Sequence, residues 1–157
     1  MKNIKIVSIF VLTILLSGCG YKQINEKSSN IIYLQNIVVT GAPRIAYSLK
    51  NNILLISNED SKNRYTGKIK IDKIKTSKIK NSTGKVIRYN LLFTTELELT
   101  NIDDKNKIKK SFTRTGDFDV ASIHSDTISN ENNITKRLIQ QLSDDITNFI
   151  TLAIRKP

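Results

Sequence analysis

From Val86 to Thr100 the chain alternates with a period of two. Ile87, Tyr89, Leu91, Phe93, Leu97 and Leu99 share one parity, and Arg88, Asn90, Thr94, Glu96 and Glu98 the other. Successive side chains of a strand point to opposite faces, so this run predicts a long strand with one packed face and one wet face. Such patterning belongs to an antiparallel sheet covered on one side. A sheet of that kind needs a second layer to cover its apolar face.

The remaining segments supply that layer. Ile31 to Val39 is rich in β-branched residues and ends at Thr40-Gly41-Ala42-Pro43, a strand followed by a breaker. Pro43 suits the first turn of a helix, and Ile45, Leu49, Ile53 and Ile56 mark a helix face through about Ser57. Asn58 to Thr66 reads as a polar loop. Lys68-Ile69-Lys70-Ile71 alternates, changes parity at Asp72-Lys73 and resumes from Ile74 to Ile79, which predicts a bulge or an early turn at the change. Asn81-Ser82-Thr83-Gly84 is a turn, Asn101 to Asn106 another, and Ile108 to Asp119 a returning strand with Ile108, Phe112 and Phe118 in phase. After a polar stretch around His124 to Asn130, Ile134, Leu138, Leu142, Ile146, Phe149 and Ala153 mark a final helix. The expected fold is α+β, a two-layer sandwich. A mainly antiparallel four-stranded sheet carries two helices on one face, in the order β-α-β-β-β-α, as a single domain over residues 31–157.

The start of the chain reads differently. Lys2 and Lys5 precede an apolar run from Ile6 to Leu16, and Leu16-Ser17-Gly18-Cys19 follows. A charged region, an apolar region, small residues and a cysteine make a lipoprotein signal peptide, expected over residues 1–18. Cleavage would fall between Gly18 and Cys19, and Cys19 would take the lipid on its sulfur. The apolar run is too short for the ~20 residues that a membrane-crossing helix needs. Residues 19–30 are polar and read as a lipidated tether. Gly20 is not an aspartate of the kind that retains lipoproteins at the inner membrane, so sorting to the outer membrane, on its periplasmic side, is expected. Cys19 is the only cysteine, which leaves stability to packing rather than disulfides.

No catalytic constellation emerges. His124 is the only histidine, so a Cys–His pair is impossible, and a Ser–His–Asp triad would have to use a histidine in a polar loop. One histidine without a free cysteine offers no metal-ligand spacing. Asp103-Asp104 lies in a turn, where aspartate bonds locally. Asp117 and Asp119 flank Phe118 on the face opposite its ring, without an evident pocket. Gly41, Gly67, Gly84 and Gly116 are isolated, so no phosphate-cradling loop exists. The expectation is a protein that is not an enzyme, with no cofactor and no metal.

What remains is charge. The formal net charge is +11, of which the two leader lysines account for two, leaving about +9 to attract anionic partners. Export argues against nucleic acid and for phospholipid headgroups, peptidoglycan or the phosphates of lipopolysaccharide. Lys68, Lys70, Lys73, Lys75, Lys78, Lys80, Lys85 and Arg88 line one expected hairpin and its tip, with Asp72 as the only acid in that span. Lysines on an edge strand guard it against unwanted pairing, and the same lysines can form an anion-binding rim.

Gly18-Cys19-Gly20-Tyr21, the strand–helix–three strands–helix order and Ser111-Phe112-Thr113-Arg114 in a late strand together resemble the LPS-assembly lipoprotein family LptE, in its short and divergent form. The apolar end of the first helix, Leu49 to Ile56, is similar to that family too. The resemblance implies an outer-membrane lipoprotein that plugs and partners an LptD-type β-barrel, contacts lipopolysaccharide and performs no catalysis. Basic residues would then meet lipid A phosphates, with Lys78, Lys80, Lys85 and Arg88 the candidates from charge. The alternative is an auxiliary lipoprotein of another envelope transport system, ABC-type or pilotin-like.

Overall fold

The computed structural model describes residues 32–155. Gly18, Cys19, the expected signal and the expected tether lie outside the described residues. Six elements follow in order: β1 (Tyr33–Gly41), α1 (Pro43–Leu54), β2 (Arg64–Lys80), β3 (Val86–Asn101), β4 (Lys107–Asp119) and α2 (His124–Arg155). The strands form one sheet in the order β1-β2-β3-β4. β1 runs parallel to β2, and the other two pairings are antiparallel. The fold is the α+β arrangement that the sequence predicts.

Gly41 shapes the first crossover. Its φ is +103°, a conformation that costs glycine nothing and other residues strain. The chain turns there off the sheet edge, Ala42 donates to the Ile71 carbonyl at 3.4 Å, and Pro43 opens α1. Ile45, Ala46, Leu49 and Ile53 of α1 are buried. α1 ends at Leu54, short of Ser57. The reason is that Ser57 is recruited to the sheet: it bridges Ile32, and its hydroxyl accepts from the Leu34 N–H at 2.9 Å.

α1 packs on β1 and β2, and α2 packs on β3 and β4. The core between helices and sheet contains Ile37, Ile69, Ile71, Leu91, Phe93, Leu97, Leu99, Phe118, Leu138, Leu142, Ile146 and Ile150. Phe112 and Phe149 meet edge to face at 5.7 Å. The β3 alternation holds from Leu91 to Leu99. Ile87 departs from it, being 42 % exposed. Thr95 shares the packed parity and is fully buried, a polar member that an apolar-pattern reading passes over.

Three further features differ from those read in the sequence. β2 pairs with β3 without a shift through Asp72 and Lys73, and its irregularities fall later, between Ser77 and Lys80. The parity change at Asp72-Lys73 therefore marks no bulge. It marks the place where Lys73 and Lys75 take the packed parity and meet Glu131 of α2, while Ile74 falls on the open face. β2 also begins at Arg64, whose carbonyl accepts from Ile102 at 2.9 Å. Finally, the polar stretch from His124 to Asn130 is helical. Thr127 anchors it by accepting from the Ala121 N–H at 2.9 Å, and Asn130 donates to the Asp119 carbonyl at 3.1 Å.

Candidate functional site

The hairpin joining β2 and β3 projects beyond the core, and its turn is built locally. Asn81 Oδ1 accepts from the backbone N–H groups of Thr83 and Lys85 at 3.1 and 2.9 Å and from the Thr83 hydroxyl at 2.8 Å. Gly84 takes φ +83° and donates to the Asn81 carbonyl at 3.0 Å. Local asparagine bonding of this kind fixes a turn without tertiary help.

The structure sorts the six hairpin cations from Lys73 to Arg88 into three groups. Lys73 and Lys75 lie on the helix side, where both meet Glu131 of α2, at 2.6 and 2.7 Å. Lys75 also stands over the rings of Tyr89 and Phe118, at 4.4 and 5.0 Å from their centroids. Lys78 and Arg88 lie on the open face and are paired: Lys78 with Asp117, Arg88 with Asp119 at 2.5 Å. Lys80 and Lys85 flank the turn, exposed, and neither has an ion pair among the described residues. Of the four candidate contacts, two are thus free cations at the tip and two are held by carboxylates. Glu131 and the Asp117–Asp119 pair are the partners that the sequence reading did not join to the lysines. Asp117 and Asp119 do lie on the face opposite Phe118, as their parity requires.

The acids are tuned by these contacts. Asn90 donates to Asp117 at 2.7 Å, and that bond with the one from Lys78 holds the Asp117 carboxyl below its ordinary range. For Glu131, burial favours the neutral form, but the bonds from Lys73 and Lys75 outweigh it and the carboxyl also sits low. A carboxyl with a depressed folded-state pKa adds stability above its unfolded pKa and loses it as pH falls through the folded value. Thermal melts from pH 7 towards pH 3 should therefore show Glu131→Gln with a shallower loss of stability on acidification than the wild type. Parallel curves would contradict this assignment.

The open face also carries a groove of about 520 Å³ lined by Val38, Thr40, Lys68, Lys70, Glu96, Glu98, Lys109 and Ser111, among others. Glu98 is gripped by Lys109 at 2.7 Å and Lys107 at 3.3 Å. Those bonds, Lys109 first, hold its carboxyl low, so the groove already contains its own counter-ions. His124 stands at the start of α2, exposed. No group of three or more His, Cys, Asp or Glu side chains among the described residues could hold a metal ion. No described helix is long and apolar enough to cross a membrane.

No protein-family model matches this chain, and no curated protein matches it in sequence. Solved structures do match in fold. A protein of Caulobacter crescentus CB15, provisionally named a lipoprotein, aligns over 83 % of this chain and 96 % of its own, with a TM-score of 0.59 and 13 % identity. An uncharacterized lipoprotein B of Nitrosomonas europaea aligns over 78 % and 86 %, with a TM-score of 0.55 and 12 % identity. The rare lipoprotein B of Shewanella oneidensis aligns over 75 % and 95 %, with a TM-score of 0.50 and 13 % identity. At such identities the likeness is one of fold.

Proposed function

We propose that this chain is a lipoprotein, anchored through Cys19 on the periplasmic side of the outer membrane, that partners an LptD-type β-barrel and assists lipopolysaccharide assembly by contact, without catalysis. The observation that carries the reading is a coincidence of two independent features. The chain begins with a lipobox, and its described part shares the fold of three proteins named as lipoproteins.

The geometry gives the reading a mechanism. The anchored end joins the sheet beside the Tyr33–Arg64 pairing, and the tip lies at the other end of β2, a strand of 17 residues. At 3.3 Å per residue the two ends stand roughly 55 Å apart. In this reading the lipid anchor is joined to the β1 end of the sheet, and Lys80 and Lys85 stand at the far end of β2. Each lysine offers a mobile point charge with three donors, suited to the scattered phosphates of lipid A. Lys78 and Arg88 contribute through exchange, since an incoming phosphate must displace Asp117 or Asp119.

Two measurements test the reading. Radiolabelled palmitate should label the wild type and leave Cys19→Ser unlabelled, and equal labelling would overturn the anchor. Gentle detergent extraction should co-purify an outer-membrane β-barrel. Failure to do so, with normal surface lipopolysaccharide after depletion of the protein, would overturn the barrel partnership.

A further inference from the structure

β2 is longer than the strand beside it. The ladder with β1 ends at Gly41 opposite Ile71, and β2 continues to Lys80 with β3 as its one strand neighbour. The backbone groups that this leaves open can be named. The N–H and C=O of one strand residue point to one side, and those of the next to the other. Ile71 accepts from Ala42 on the β1 side, so two and four residues on, Lys73 and Lys75 present their backbone groups to that same side. Asp72, Ile74 and Thr76 turn theirs to β3. Among the described residues no strand pairs with the outward groups, and α2 meets this stretch through the side chains of Lys73 and Lys75 rather than along its edge.

An open edge of this length invites another strand unless charged side chains guard it. Here the two lysines best placed to guard it are withdrawn. Glu131 ties the amines of Lys73 and Lys75 back to α2, and Ile74 between them is 52 % exposed on the open face. Charge then selects the occupant. The segment from Asp72 to Lys80 holds four lysines and one aspartate, and it stays positive after Glu131 and Asp117 are counted. A second copy seated antiparallel on the same edge would bring lysines against lysines, and like charges directly opposite are destabilising.

We propose that the free edge of β2, from Asp72 to Lys80, is a strand-addition site for an extended acidic segment of a partner protein. Main-chain bonds to Lys73 and Lys75 would give affinity, and the positive charge left over, carried by Lys80, which has no ion pair among the described residues, would favour acidic side chains, the mode known as β-augmentation. This inference does not depend on the envelope reading.

The test uses the full-length protein in detergent and two eight-residue labelled peptides, one alternating valine with glutamate and one alternating valine with lysine. In the free protein, the amides of Lys73 and Lys75 should exchange hydrogen at least about tenfold faster than those of Ile74 and Thr76. The Val/Glu peptide should slow the first pair about tenfold, and the Val/Lys peptide should leave them unchanged. Lys75→Ala keeps the outward N–H and should bind the Val/Glu peptide within about threefold of wild type. Lys75→Pro removes that donor while sparing the β3 ladder and should weaken binding at least about tenfold. Three results would each overturn the proposal: slow exchange at Lys73 and Lys75 in the free protein, equal binding of the two peptides, or equal binding by the alanine and proline variants. The exchange pattern needs no variant, so it decides the matter even if Lys75→Pro fails to fold.

Discussion

Replacing Phe93 by alanine is expected to lower stability by about 3–5 kcal/mol, and replacing its neighbour Thr94 by alanine by about 0.5 kcal/mol or less. Phe93 is fully buried in the centre of β3, with Leu91, Leu97 and Leu99 on the same face of the strand. Removing the ring takes away its transfer energy and leaves a cavity that a packed sheet cannot collapse to fill. Thr94 is one residue on and points the other way, towards the open face, between Asp72 and Thr113 on the flanking strands. Urea unfolding of both variants measures the difference. A Thr94 variant more damaged than the Phe93 variant would mean that the two faces of the sheet are reversed.

The second large effect falls on Gly41. A Cβ at this position would lie 1.9 Å from the Ile71 carbonyl oxygen, a backbone atom that can move only by breaking the crossover. The residue also holds φ at +103°, where a side chain is strained. Gly41→Ala should cost about 3 kcal/mol, the upper part of the range for a strained backbone position. Gly84 is the control, because it too has positive φ but a Cβ there would meet nothing within 4 Å. Gly84→Ala should cost about 1 kcal/mol, from strain alone. Equal losses at the two glycines in denaturant titrations would contradict the account of the crossover.

How much of this could be read from the residues varies along the chain. The β3 alternation was plain because helices cover Leu91 to Leu99, so burial wrote its period into the sequence. Gly41 and Pro43 likewise carried local backbone demands that marked the strand end and the helix start. Elsewhere the pattern misleads. Ile74, exposed on the open face, broke the parity of β2 without any break in its pairing. The first turns of α2 read as loop because most of their side chains stay in water, and their order comes instead from Thr127 bonding to Ala121 and Asn130 to Asp119 at the end of β4. For the candidate site, the lysines themselves were visible as charge. Their partners were not, since Glu131 lies 58 residues from Lys73 and only the fold brings them together. Parity nonetheless held the signal that Lys73 and Lys75 belong to one face and Lys78 to the other.

The central claim is that the hairpin tip touches lipopolysaccharide in the working protein. The most direct measurement places a photo-crosslinking amino acid at Lys85 of the full-length protein in living cells, with a second variant carrying it at Glu59, in the loop between α1 and β2 at the opposite end of the sheet. Illumination should yield a lipopolysaccharide adduct from the Lys85 position, diminished when Lys80 is also changed to glutamate, and little or none from Glu59. Equal adducts at the two positions, or none at Lys85 while the protein remains anchored and folded, would contradict it.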